Sequence, residues 1–192
     1  MRIKRVETIR EVGNMLHLSD KPDRFGLVSR VFHWGMAALF AVQFSSAAAH
    51  WALPRYNVLR ETLWSYHIDL GLTLFLLVLL RGAWGLWNLR QRPASSSLTG
   101  QAATAGHAAL YLLMAIVPAL KILAAAGGTR GLGFLGLTLF PARETVVAWT
   151  QVATEWHGVM GWMLATLVMG HMVMAVGWHR LIKRDDVLRR MA

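Results

Sequence analysis

The chain has 192 residues, 55% of them hydrophobic and only 16% charged, with a formal net charge of +10. The composition is that of a membrane protein of single-domain length, and the basic residues flank apolar runs, so topology and anionic lipid account for the charge and no nucleic-acid partner is expected. Cysteine is absent, which excludes disulfides, iron–sulfur clusters, thiolate zinc sites and covalent C-x-x-C-H haem attachment, and leaves eight His, nine Trp and ten Met as the unusual inventory.

Residues 1–29 are expected to form a cytoplasmic N-terminal lead. Within it Ile3, Val6, Ile9, Val12 and Leu16 recur at helical spacing among basic residues. The pattern fits an amphipathic helix on the inner leaflet, and equally a frayed tail. Residues 30–192 are expected to form one four-helix domain, with spans at about 31–54, 63–87, 106–126 and 156–179. Each meets the ~20-residue length of a membrane helix. The first span carries no charge, the second carries His67, Asp69 and Arg81, the third carries Lys121, and the fourth has no Asp, Glu, Lys or Arg. "SSAAAHWA" after the first apolar run offers a signal-peptidase site, but a thirty-residue basic lead is long for a signal peptide, so the span is read as retained. Residues 127–155 form a long loop, Gly-rich and apolar at first, expected to fold back over the outer mouth of the bundle.

Fifteen Lys and Arg fall on the side of both termini and four (Arg55, Arg60, Arg130, Arg143) on the other, with Lys121 inside a span. The positive-inside rule therefore puts both termini in the cytoplasm.

The fourth span reads "WHGVMGWMLATLVMGH" over 156–171. Its two histidines are fourteen residues apart, nearly four helical turns, so they share a face roughly 21 Å apart along the axis. A lone His in an apolar helix is more often a hydrogen-bonded structural residue than a ligand, but polar groups inside a membrane are costly and point to function. Chain direction gives each His a depth. His50, His67 and His157 fall at the outer level, His33, His107 and His171 at the inner level, His179 at the inner water boundary and His17 outside the bilayer. His157 can thus pair with His67 or His50, and His171 with His33 or His107. Two facing imidazoles per level are what a six-coordinate haem b needs. Gly158, Gly161 and Gly170 leave room for a flat macrocycle or for close helix packing. Zinc would want three or four clustered ligands, and the methionines are read as packing.

"RVFHWGMA" at 30–37, Arg81 fourteen residues after His67, and "GHAALYLLMAIVP" at 106–118 are followed by "LGLTLFP" at 135–141, "WHGVMGW" at 156–162 and "GHMVMAVGWHRLIKRDDVLRRM" at 170–191. In order and spacing this resembles the bacterial cytochrome b561 family, from about Asp23 to the C-terminus. The resemblance implies an all-α integral membrane four-helix bundle in the bacterial inner membrane, with two haems b. His33 and His171 would be axial ligands of the inner haem, and His67 and His157 of the outer one. It implies transmembrane electron transfer from a periplasmic donor such as superoxide to membrane ubiquinone. The alternative is a haem-b anchor relaying electrons for a periplasmic dehydrogenase, hydrogenase or reductase.

Arg81 shares a helical face with His67 at the opposite depth, which suits an inner-haem propionate or snorkelling to lipid phosphate. Lys121 sits at the outer level, where Asp69, an outer-haem propionate or an anionic substrate could pair with it, or where it could snorkel. The outer arginines could steer an anion or be ordinary solvated charges. Three features depart from the family pattern: the long lead, Lys121 where a small residue is usual, and Asp69 two residues after His67.

Overall fold

The structure is a computed structural model and describes residues 18–21, 24–91, 97–185 and 188–191. The amphipathic reading of residues 3–16, and His17, lie outside the described residues.

Four helices are long and apolar enough to cross a membrane. Helix α1 spans Leu27–Ala52. Asp20, 1% exposed, accepts the N–H of Gly26 at its start. A Cβ on Gly26 would run into the backbone of Leu18 and Ser19, so the chain can turn into the helix this tightly only at glycine. Leu53 is extended because Pro54 follows, and the helix ends there. Helix α2 spans Val58–Ser65, opened by the Asn57 side chain accepting from the N–H groups of Leu59 and Arg60. A break at Tyr66 separates it from α3, His67–Trp87. Helix α4 spans Leu98–Ala126, capped by Ser97 and carrying Pro118 inside it. Helix α5 spans Ala148–Met172 and continues as a π-helical stretch, Val173–Lys183, that stops at Arg184 in the left-handed region.

Helices α1, α4 and α5 are longer than the expected spans. Apolar windows register only the hydrocarbon-spanning part of a helix, whereas caps such as Ser97 set its true ends. The second span is instead shortened: residues 63–65 close the separate α2, and α3 begins only at His67. The outer loop is also more ordered than a loop. Strands β1 (Leu132–Phe134) and β2 (Leu137–Phe140) form an antiparallel hairpin around Leu135 and Gly136, both at positive φ. Asp69 on α3 accepts the N–H of Leu135, which ties the hairpin to the bundle end as the fold-back reading expected.

Helix α1 packs on α3, α3 on α4, and α4 most extensively on α5. A small core of Met36, Leu74 and Val78 joins α1 to α3, with Tyr111, Met114 and Ala115 of α4 against it. Most other large apolar side chains face outward, including Leu79, Leu80, Leu112, Val159 and Met163. Such a surface is stable only against lipid. Both described chain ends meet at one end of the bundle, where the Trp34 indole N–H donates to the Met191 carbonyl and Phe25 N–H to that of Arg190. This is the proximal end; the hairpin marks the distal end.

The α4–α5 connection depends on Gly127. A Cβ there would overlap the Thr150 side chain, which is 4% exposed. Gly127→Ala is expected to destabilise the bundle by about 1–3 kcal/mol, read as a lower melting temperature in detergent, with partial recovery when Thr150→Ala is added.

Candidate functional site

Two imidazole pairs occupy the two ends of the bundle. At the distal end the rings of His67 (start of α3) and His157 (α5) lie 6.4 Å apart, centroid to centroid, at 81°. At the proximal end His33 (α1) and His171 (α5) lie 6.2 Å apart at 77°. All four are half-buried. Helix α5 supplies one member of each pair because His157 and His171 share its face.

The distal rings are held by hydrogen bonds that fix their tautomers. The Ser46 hydroxyl donates to the Gln43 carbonyl at 2.7 Å, so its oxygen accepts from His67 Nδ1, also at 2.7 Å. His157 Nδ1 donates to the Val117 carbonyl at 2.8 Å. With both Nδ1 atoms protonated, both Nε2 lone pairs are left for another partner. In the protein alone the Gln43 amide nitrogen sits 3.2 Å from His67 Nε2, while its Oε1 is buried without a partner among the described residues. Trp64 lies against the His67 ring at 4.5 Å and 25°, and His50 stacks on the same indole at 3.7 Å and 19°. His50 is therefore turned into an aromatic stack, its ring nitrogen and carbonyl facing Arg60 at 3.4 and 3.2 Å.

The proximal pair has different neighbours. Arg81 Nη2 donates to His33 Nδ1 at 3.2 Å, and its guanidinium lies 5.6 Å from the Tyr111 ring centroid. Trp34 meets His33 edge-on at 5.2 Å. His107 approaches His171 to 5.4 Å, but it is exposed and its Nδ1 bonds the Ala103 carbonyl of its own helix. His179, beyond this level, pairs with Asp185 at 2.9 Å.

The sequence-predicted residues His33, His67, His157, His171 and Arg81 thus gather into two clusters, and the spacing of Arg81 from His67 does carry it to the opposite level. Lys121 is exposed on α4, one turn beyond Val117, whose carbonyl holds His157, so it stands at the distal level. Asp69, considered as its partner, accepts the Leu135 N–H. Of the distal arginines, Arg60 is no ordinary solvated charge: its side chain is 11% exposed, bound to His50 and to Glu61.

Sequence reading passed over Gln43, Ser46, Trp64 and the Val117 carbonyl. Only Gln43 carried a signal, as an amide in a span without charge.

The family model described as prokaryotic cytochrome b561 matches residues 24–192. The chain is similar to "Cytochrome b561 homolog 2" of Escherichia coli (strain K12), 27% identical over 179 residues that cover 92% of this chain and 95% of that protein. With four helices fit to span a bilayer and a family match over nearly its whole length, the chain belongs to the prokaryotic cytochrome b561 family, multi-pass bacterial membrane proteins that move electrons across the bilayer through haem b.

Proposed function

We propose that the protein binds two haems b, one between each imidazole pair, and passes electrons from a donor at the distal face to membrane quinone. Ring spacing is the observation that carries this reading. A metal bound at about 2.0–2.1 Å lies roughly 3.1 Å from an imidazole centroid, so two rings on one metal stand about 6.2 Å apart. The distal and proximal pairs stand at 6.4 and 6.2 Å. The His107–His171 spacing of 5.4 Å is too short, and the stacked His50 faces Arg60 rather than His157. The donor set therefore fits haem iron, which His33 and His171 would hold at the proximal level and His67 and His157 at the distal level.

Bound haem supplies a one-electron ferric–ferrous couple. The chain's own residues do the rest. Ser46 and Val117 keep the distal imidazoles in the tautomer that presents Nε2. At the proximal level, ligation through Nε2 places the His33 proton on Nδ1. Arg81, a donor only, would then no longer bond that atom and would be free to hold a propionate. Basic residues concentrate on the side of the termini, which makes that side cytoplasmic and the distal face periplasmic in the inner membrane, with residues 1–29 as a cytoplasmic lead to the domain at 30–192. Superoxide is a donor of suitable size and charge for a distal face bearing Arg55, Arg60, Arg130, Arg143 and Lys121. Each superoxide that gives up one electron leaves as dioxygen, and two such electrons with two protons convert ubiquinone to ubiquinol.

Pyridine haemochrome analysis of the purified protein should give two haems b per chain; one would overturn the reading. Superoxide-dependent ubiquinone reduction by the protein alone tests the donor, and its absence in a two-haem preparation would point to a periplasmic redox partner, as in an anchor subunit. Lys121→Met should lower the distal haem's midpoint potential with haem content intact, because a nearby cation favours the more negative reduced state. A redox titration with neither potential shifted would reduce Lys121 to a snorkelling residue.

A further inference from the structure

We infer that Ser46 is a positioning residue that acts through His67 to lower the midpoint potential of the distal haem. The inference rests on His67 being a haem ligand, as proposed above. Ser46 is 1% exposed and sits on α1, whereas His67 begins α3, so their contact crosses between helices. A buried serine in a helix commonly spends its proton on a carbonyl of the preceding turn, and Ser46 does so with Gln43 at 2.7 Å. That leaves the hydroxyl as an acceptor, aimed at His67 Nδ1 from 2.7 Å. The direction of the bond matters. An acceptor at Nδ1–H pushes electron density toward Nε2 and makes the imidazole a more basic ligand, which favours ferric over ferrous iron.

Around the same ring, Trp64 covers one face at 4.5 Å, so the imidazole is held in plane as well as in tautomer. The opposite arrangement holds at the proximal level, where His33 Nδ1 faces the Arg81 guanidinium at 3.2 Å. Arginine has no acceptor and carries a positive charge, so beside His33 or turned to a propionate it cannot enrich this imidazole, and its charge favours the reduced state. The groups at Nδ1 of His67 and His33 therefore act in opposite senses, and at the distal end Ser46 works against the charge of Lys121. The Ser46 contribution favours passage of an electron from the distal haem to the proximal one.

The test uses the full-length haem-loaded protein in detergent. Ser46→Ala removes the acceptor, and Ser46→Thr keeps it. Haem stoichiometry, a redox titration of the α-bands and low-temperature EPR of the oxidised protein are recorded for each, and His67→Ala supplies the signature of the proximal haem alone. In Ser46→Ala the distal haem's midpoint should rise, with its reduced-to-oxidised ratio at fixed potential up about tenfold, matching the smallest changes in metal affinity or activity on loss of a partner of metal-bound His. Its EPR signal should shift, the proximal haem should stay unchanged, and Ser46→Thr should restore the wild-type values. Two bound haems with both midpoints at wild-type values in Ser46→Ala would overturn the inference. Loss of the distal haem in Ser46→Ala supports it only if Ser46→Thr retains that haem at the wild-type potential; loss in both means that packing, not the hydrogen bond, was at work, and overturns it. A His67→Ala protein that still binds two haems would overturn the parent reading instead.

Discussion

His67→Ala is expected to halve the haem content, from two b haems per chain to one, with the survivor held at the proximal level. Among the described residues, His67 is the only half-buried imidazole facing His157 at a metal-bridging distance, 6.4 Å between centroids. His50, the nearest substitute, is stacked flat on Trp64 and bonded to Arg60, so it would have to leave both to replace His67. Six-coordinate low-spin haem needs both axial nitrogens, and one imidazole alone leaves an open iron position and much weaker retention. The companion variant is His107→Ala, which should keep two haems because its ring is exposed, bonded to Ala103 and too close to His171. Pyridine haemochrome assays and reduced-minus-oxidised spectra of the two proteins check the pair. Two haems in His67→Ala, or one in His107→Ala, would break the assignment of the levels.

How much of this was legible in the sequence follows from the scale of each feature. The spans and their alternating direction are long-range patterns, so the depth of every membrane histidine could be read. Fourteen residues between His157 and His171 put both on one face, and the structure sets them against His67 and His33. Depth fixes only a level, however. Choosing His33 over His107 from residues alone required a ring spacing, 6.2 against 5.4 Å, that depends on how α1 and α4 approach α5. Ser46 was illegible for a similar reason. It lies in "SSAAAH", where small residues suit any helix contact, and its partner is 21 positions away across the α1–α3 interface. The stack of His50, Trp64 and His67 depends on the break at Tyr66, which turns α2 back against α1. The hairpin was hidden by its turn. Type I′ turns favour Asn, Asp or Gly at the first central position, and this one places Leu135 there, at φ 49. Its tie to Asp69 helps to hold that strained residue.

Arg81→Leu is expected to lower the proximal haem's midpoint potential while leaving the distal haem unchanged. The guanidinium is 3.2 Å from His33 Nδ1 and stands over Tyr111, between α1 and α4. An iron on the far ring nitrogen would lie about 7 Å from this position, and a turn to a propionate would keep the charge beside the same haem. At an effective dielectric of about 20, one unit charge at that separation changes the energy of a transferred electron by about 2 kcal/mol. For a one-electron couple this is roughly 90 mV. A propionate left without its arginine would add to the effect in the same direction, since an unpaired carboxylate opposes reduction. Arg81→Lys separates the two contributions: it keeps a positive charge but loses the planar fork, so it should recover most of the potential yet bind the propionate less tightly. A guanidinium that merely snorkels to lipid phosphate would make both variants silent in a redox titration, because bulk headgroups and water screen a charge at the surface. A shift confined to the proximal haem, larger for leucine than for lysine, is the outcome that places Arg81 in the haem site, and unchanged potentials in a two-haem Arg81→Leu protein would remove it from there.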